Sequence, residues 1–343
     1  MHSTGLRLAL LIGAVLVLPC IARASTLDPV LTVIGSPPPE LMPGLDSVSA
    51  ASPEVLMSAK TLTGVPAAMW YYGCTATSAG MLFGYYDSIG YSNMLAGEIA
   101  GRIDTPSELS LIATQDHITD YWKAYDSVGP DPWVSGGVEH AWSGCTADFL
   151  GTNQWKWDYN GGGIDFNRDG STVYWSLDNG QPLYDYIPPA SFGLPQTEAG
   201  HGLRLFAESR GYSVAYRNGN YQVYNQRIDT LYPGAGFSFA QYMAEIDAGR
   251  PVLIHVTNHT MLGYGYNEET SQVILYDTWN YDSHTMTWGG TYAGLQHRAV
   301  TVLELNPAPE IEANVPEPGT TALFGGGLAA LAMVLRRRRQ TLG

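Results

Sequence analysis

The sequence contains a cysteine whose neighbours suit a nucleophile. Cys74 follows Gly73 and precedes residues 75–86, which predict a buried helix because bulky apolar residues recur along them. A thiol in the first turn of a helix lies near unpaired backbone N–H groups and the positive end of the helix dipole, and both favour the thiolate. The position fits a nucleophilic cysteine. It also fits a small apolar residue at a helix start, or one half of a disulfide.

A histidine and an acid follow at a spacing that suits a catalytic pair. His259 begins a predicted strand, 260–266, and Asp277 follows the next predicted strand, 273–276. A polar turn joins these strands into a hairpin, so the two side chains can face each other across it. A carboxylate on one ring nitrogen would hold the imidazole in the tautomer that serves a thiol. Asn280 is an alternative orienter.

The order cysteine, histidine, acid resembles that of papain-type cysteine peptidases. Segments 70–77, 259–266 and 276–279 resemble the family of bacteriocin-leader processing peptidases, most closely its secreted "like" branch. The resemblance covers about residues 60–305. It implies an α+β, papain-like fold and no required cofactor. It also implies a peptide or protein substrate, with Cys74 as nucleophile, His259 as general base and acid, and Asp277 as orienter.

One position departs from the papain pattern. A glutamine usually lies about six residues before the cysteine and donates a hydrogen bond to the oxyanion, but this chain has Ala68 there. The loss of one such donor costs on the order of 10²–10³ in turnover. The Cys74 N–H remains available, and the Tyr72 hydroxyl is a second candidate donor.

Three functions fit these residues. The first is a peptidase that cleaves peptide bonds through a Cys–His–Asp triad and a thioester intermediate. The second is a catalytically inactive papain-fold module that binds peptide or exopolysaccharide at the cell surface, which the alanine at position 68 favours. The third is a structural matrix protein held by a Cys74–Cys145 disulfide.

The N-terminus has the features of a secretory signal peptide. Arg7 precedes an apolar stretch, 8–18, and the residues Ala-Arg-Ala at 22–24 form a cleavage site for signal peptidase. Residues 25–58 are rich in proline and lack periodicity, which predicts a flexible leader or linker. The peptidase domain is expected to span residues 59–306, followed by a linker over 307–315.

The C-terminus resembles the PEP-CTERM sorting signal that exosortase processes in Gram-negative bacteria. The residues Pro-Glu-Pro at 316–318 precede an apolar segment, 320–335, and four arginines at 336–339. The apolar segment would span about 24 Å as a helix, with the arginines on the cytoplasmic side. The resemblance implies a transient inner-membrane anchor over 316–343. Cleavage and delivery to the cell surface or extracellular matrix would follow.

The remaining pattern predicts an α+β domain. Capping boxes that begin at Thr105 and Ser238 predict two helix starts, and residues 200–210 predict a further helix. Residues after 250 then switch to short segments rich in β-branched and aromatic residues. Helices first and an antiparallel sheet last is an α+β arrangement. The predicted strands are 251–256, 260–266, 273–276 and 299–305.

The net charge of the chain disfavours one class of partner, and a short motif suggests a cation-binding site. The formal net charge of −15 disfavours binding to nucleic acid, because phosphates would be repelled. Four residues around Gly170 match the first half of a calcium loop, although a polar surface turn fits them as well. The remaining histidines show no metal-ligand spacing and are interpreted as structural. The calcium-loop residues are Asp165, Asn167, Asp169 and Ser171.

Overall fold

The computed structural model describes residues 29–42, 48–95, 101–122, 144–154, 170–188 and 198–308. The predicted signal peptide and the C-terminal sorting segment lie outside these residues. Within the described ranges, no helix has the length and apolar character needed to cross a membrane.

The strands of the described residues form one large antiparallel sheet and three small ladders. In chain order they are β1 (Val30–Ile34), β2 (Lys60–Thr61), β3 (Ala67–Ala68), β4 (Arg102–Ile103), β5 (Thr172–Ser176), β6 (Leu183–Tyr184), β7 (Tyr216–Arg217), β8 (Asn220–Tyr221), β9 (Val223–Arg227), β10 (Val252–Val256), β11 (His259–Asn267), β12 (Gln272–Tyr276), β13 (His284–Thr287), β14 (Thr291–Tyr292) and β15 (Leu295–Leu303). The large sheet has the order β13–β12–β11–β10–β15–β9–β6, with β2 on β11 and β14 on β15. The small ladders are β1–β5, β3–β4 and β7–β8.

The described helices all precede β10 in the chain. They are α1 (Pro53–Met57), α2 (Cys74–Ser88), α3 (Pro106–Ile112), α4 (Gln115–Tyr121), α5 (Thr146–Phe149), α6 (Ala199–Ser209) and α7 (Phe239–Asp247). Both predicted capping boxes are present, at Thr105 before α3 and at Ser238 before α7. Helix α2 is buried from Cys74 to Tyr86, as the absence of a polar face predicts.

The large sheet separates two apolar cores. Leu253 and Leu262 pack on the face that α2 covers, whereas their strand neighbours Ile254 and Met261 pack on the opposite face with Tyr242 of α7. Alternate side chains of a strand point to opposite faces, so β10 and β11 supply both cores. Burial of each such side chain contributes roughly 1.5–3 kcal/mol. The sheet is therefore fixed from both sides beneath the start of α2.

The mixed architecture confirms the predicted α+β class and the predicted strands after residue 250. The structure differs from the prediction in the leader, where residues 30–34 form β1 rather than an irregular segment. This strand pairs antiparallel with β5, from Val30 opposite Ser176 to Ile34 opposite Thr172. The sequence pattern did not indicate β5 or β9 either.

Candidate active site

Cys74 is the first residue of α2 and is held there by an unusual turn. Tyr72 has a φ of 55° and Gly73 a φ of 152°, which L side chains rarely adopt. A Cβ on Gly73 would lie 2.6 Å from Cγ2 of Thr152, so only glycine fits. Asn153 Nδ2 donates to the Tyr72 carbonyl at 3.0 Å. These contacts fix the direction in which the chain enters the helix.

His259 begins β11 directly after a tight hairpin. Val256 pairs with His259, which leaves a two-residue loop that ends at Asn258 with a φ of 60°. Helix α2 packs on the next residue of this strand. The Thr75 and Thr260 hydroxyls lie 2.9 Å apart, and Ser78 Oγ donates to the Thr260 carbonyl at 3.1 Å. The same contacts bring the Cys74 thiol to the His259 imidazole.

The His259 ring is buried and has a partner on each nitrogen. Nε2 lies 2.7 Å from the backbone carbonyl of Asp277, and Nδ1 lies 2.8 Å from Oγ of Ser36. The ring stacks on Trp279 with centroids 4.2 Å apart and planes 13° apart. A hydrogen bond also joins His259 to Cys74. The carbonyl accepts a hydrogen bond from Nε2–H, so Nδ1 is the nitrogen left to face the thiol and the serine.

Asp277 orients His259 through its backbone, which differs from the predicted side-chain role. Its carboxylate Oδ1 accepts hydrogen bonds from the backbone N–H of Trp279 at 2.8 Å and of Asn280 at 3.3 Å. Its Oδ2 accepts from the Tyr292 hydroxyl at 2.7 Å. The carboxylate therefore shapes the turn after β12, and that turn presents the Asp277 carbonyl to the imidazole.

The surroundings of Cys74 favour its thiolate. Burial opposes ionisation, but the hydrogen bond and charge of His259 outweigh it, helped by hydrogen bonds from the backbone of Ser36 and Thr260. Together they lower the pKa of Cys74 to about 6. Helix-start cysteines paired with a histidine are the environment in which thiols become nucleophilic at neutral pH.

Two other predicted site residues lie elsewhere. Asn280 Oδ1 lies 2.9 Å from Nε2 of His284, so its side chain is not directed to His259. The Tyr72 ring packs edge-on against Tyr71 and Trp122, with centroids 4.8 and 5.0 Å away. Its role as an oxyanion donor stays a prediction.

Ala68 offers no side-chain donor at the usual glutamine position. It is buried in β3, and its backbone N–H is directed at Sδ of Met81 at 3.2 Å. The N–H of Cys74 itself, in the first turn of α2, is the donor that the helix start supplies.

Sequence reasoning missed Ser36, which contacts both catalytic candidates. It belongs to the predicted leader, and no motif marks it. Its hydroxyl bonds His259, its backbone bonds the Cys74 sulfur, and it is 1% exposed. The pairing of β1 with β5 brings it there.

A second grouping of cysteine, histidine and acid lies behind α2. His117, Cys145 and Asp148 are buried, and their ligand atoms lie within 4.8 Å of one another, close enough to hold a metal ion. His117 Nδ1 already lies 2.5 Å from Asp148 Oδ1, and Nε2 lies 3.3 Å from Asn153 Nδ2. This grouping therefore also supports the residue that holds the Tyr72 carbonyl.

The described cysteines, Cys74 and Cys145, are not joined by a disulfide. The predicted alternative of a disulfide between them is therefore wrong for this structure. The matrix-protein hypothesis built on that disulfide loses its support.

The calcium-loop residues Asp165, Asn167 and Asp169 lie outside the described part of the chain. Ser171 is buried, and its carbonyl accepts a hydrogen bond from the Asn153 N–H at 3.0 Å. Binding of Ca²⁺ stays a prediction.

Comparison with known proteins supports two parts of the sequence interpretation. Residues 206–292 match the Peptidase C39 like family, and residues 314–339 match the PEP-CTERM protein-sorting motif. The first match contains His259 and Asp277, and Cys74 lies outside it. No curated protein and no solved structure matches the chain. The chain resembles the Peptidase C39 like family and carries a PEP-CTERM sorting motif at its C-terminus.

Proposed function

We propose that this chain is an exported cysteine peptidase with a papain-like site, in which Cys74 is the nucleophile and His259 its acid–base partner. The carrying observation is the hydrogen bond between a thiol at a helix start and a buried imidazole from a separate strand, with the pKa of the thiol lowered to about 6. Such a thiol is mostly ionised at neutral pH. The match to the Peptidase C39 like family supports the same chemistry.

The mechanism is acyl transfer to sulfur. The Cys74 thiolate attacks the peptide carbonyl, and His259 gives its proton to the amine as the C–N bond breaks. His259 then takes a proton from water, which attacks the thioester and releases Cys74. The Asp277 carbonyl and the stacked Trp279 ring keep Nδ1 of His259 directed at the sulfur throughout. The Cys74 N–H is the proposed oxyanion donor, with Tyr72 as the proposed second donor.

The proposed location of this chain is based on its sorting motif. PEP-CTERM motifs are processed by exosortase, so we propose that signal peptidase and exosortase act on this chain and leave it at the cell surface. Extracellular peptides or proteins are the proposed substrates there. Exopolysaccharide is a proposed binding partner only if the site proves inactive.

Turnover tests the proposal directly. Wild-type chain, Cys74→Ala and His259→Ala would be incubated with a mixed peptide library, and new termini counted by mass spectrometry. We expect cleavage by the wild type and a loss of at least about 10³-fold in both variants. Cys145→Ala is the matched control, since it removes the other buried thiol and keeps Cys74 and His259. Equal, near-zero cleavage by all four proteins would favour the inactive binding module.

The pH dependence of Cys74 alkylation tests the thiolate separately from turnover. Because the folded pKa is lowered to about 6, iodoacetamide should label Cys74 with a rate that rises through that pH. In His259→Ala the hydrogen bond and charge are lost while burial stays, so the midpoint should move to alkaline pH. Labelled cysteines would be mapped by mass spectrometry. An unchanged midpoint in His259→Ala would contradict the pairing.

A further inference from the structure

The N-terminal strand β1 lies on the structure in the way that an extended peptide binds a strand. Residues 30–34 pair antiparallel with β5, and this two-strand ladder is separate from the large sheet. Leu31 and Val33 pack against Val173 and Trp175 of β5. Addition of a strand to an exposed strand edge is a common mode of peptide recognition, in which the main chain supplies most of the hydrogen bonds.

The residues that follow β1 reach the catalytic pair and cover it. Ser36 bonds Nδ1 of His259 through its hydroxyl and bonds the Cys74 sulfur through its backbone. Cys74 and His259 are both fully buried, so neither is open to a substrate in this structure. Ser36 contacts the sulfur through its backbone N–H and does not present a carbonyl carbon to it. The segment therefore binds at the site without being placed for cleavage.

Strand β1 is exposed at its start and joins the main apolar core only at its last residue, Ile34. Val30 is 37% exposed and Thr32 is exposed, while Ile34 is buried. A cavity of about 220 Å³ extends from Thr32 and Ile34 to Asn225 and His255 of the large sheet. The strand therefore covers this space without filling it.

Gly35 controls how closely the segment approaches. A Cβ at this position would lie 2.5 Å from Oγ and 2.8 Å from Cα of Ser171. The second of these atoms is backbone, so a larger residue cannot be accommodated by a rotamer change of Ser171. A side chain at position 35 must lift the segment away from β5 and from the catalytic pair.

We propose that residues 30–36 occupy the substrate cleft as an intramolecular peptide. The cleft then binds its substrates as an extended strand antiparallel to β5. The segment competes with substrate, so peptide cleavage by the exported chain is slow until the segment is displaced or cut away. This inference rests on the proposed peptidase function. It concerns access to Cys74 and can fail while that function holds.

The test measures access to Cys74 in the whole exported chain. Gly35→Leu should release the segment and speed alkylation of Cys74 by at least about tenfold at fixed pH, which corresponds to about 1.4 kcal/mol. Ser36→Ala, which removes only the hydroxyl bond to His259, should give a smaller increase. Thr270→Ala is the matched control, because it changes an exposed threonine outside residues 30–36 and should label as the wild type does.

A synthetic peptide of residues 30–36 provides the second arm. Added to Gly35→Leu, it should slow labelling back toward the wild-type rate, which a merely misfolded variant would not show. Peptide cleavage should rise in Gly35→Leu in parallel with labelling. Fast labelling of wild-type Cys74, or no acceleration in a folded Gly35→Leu, would overturn the inference. Accelerated labelling without any peptide cleavage would instead contradict the proposed function.

Discussion

At the scale of single residues, the site depends on which atom of each residue makes the contact. The pKa of Cys74 is lowered because His259 faces it, and His259 faces it because its other nitrogen is held by a carbonyl. A carbonyl accepts only from N–H, so it fixes the ring tautomer without adding a negative charge to the site. Asp277 thus acts by the position of its backbone, and its carboxylate acts on the turn.

This assignment predicts a mild effect of Asp277→Asn. The amide oxygen can still accept from the Trp279 N–H, and the backbone carbonyl is unchanged, so kcat/KM should fall by less than about tenfold. Where a carboxylate itself orients the histidine, the same substitution costs about 10⁴. Tyr292→Phe, which removes another bond to the Asp277 carboxylate, is the matched control and should have a similarly small effect. A loss near 10⁴ in Asp277→Asn would show that the side chain orients the imidazole during turnover.

At the scale of elements, the start of α2 is positioned by a loop that is distant in sequence. The pair of Asp148 and His117 contacts Asn153, and Asn153 holds the Tyr72 carbonyl. Thr152, next to it, contacts the Gly73 position. The cost of the positive φ at Tyr72 is on the order of 1–3 kcal/mol, and such strain persists only where the surroundings fix it. The loop therefore sets the direction of Cys74.

A pair of substitutions tests this contact. Gly73→Ala places a Cβ 2.6 Å from Cγ2 of Thr152 and should reduce Cys74 labelling and turnover by at least about tenfold, with about 1–3 kcal/mol lost from the free energy of unfolding. Thr152→Ser removes that methyl group but keeps the hydroxyl that lies 2.6 Å from Oγ1 of Thr172. Alone, Thr152→Ser should leave labelling, turnover and the free energy of unfolding nearly unchanged.

In the double variant, Thr152→Ser should restore part of the labelling rate, turnover and stability that Gly73→Ala loses. The recovery should be incomplete, because the backbone strain at position 73 remains. The measurements are labelling rate, kcat/KM and denaturant unfolding of the four proteins. Strictly additive effects would mean that the methyl contact does not position the helix start.

At the scale of the whole molecule, two buried histidines couple the large sheet to pH. Burial lowers the pKa of His255 and of His297 to about 3 each, with the charge of His297 adding to the effect at His255. In the unfolded chain each of these histidines binds a proton below about pH 6.5. In the folded chain both imidazoles stay neutral at that pH. Their contribution is therefore complete above pH 6.5 and is lost as the pH falls toward 3.

We expect the free energy of unfolding to fall with decreasing pH between about 6 and 4. Each histidine contributes a slope of up to about 1.4 kcal/mol per pH unit. In His255→Gln the slope should decrease by about this amount, because one group no longer titrates. The amide can still bond Thr260 or Thr301, which His255 contacts in the wild type. Denaturant unfolding at a series of pH values measures this slope for the wild type and for His255→Gln. Parallel curves for these two proteins would contradict the contribution of His255.

Local signals in the sequence were sufficient for much of this protein. The capping boxes, the buried helix after Cys74 and the hairpin that begins at His259 depend on neighbouring residues, so their patterns predict them. The candidate nucleophile and base follow from the same local context, since helix starts and strand ends carry their own chemistry. The sorting motif at 314–339 is also read from consecutive residues.

The tertiary structure decided what depends on distant contacts. The pairing of β1 with β5 joins segments about 140 residues apart, and no local pattern in the leader encodes it. The same holds for Ser36 at the proposed catalytic pair and for the loop at Asn153 next to the turn at Tyr72. Whether Asp277 offers its carboxylate or its carbonyl was decided by the turn after β12. The sequence therefore determined the residue types at the site. Packing of distant segments determined which of their atoms make the contacts, which partners they have and how accessible they are.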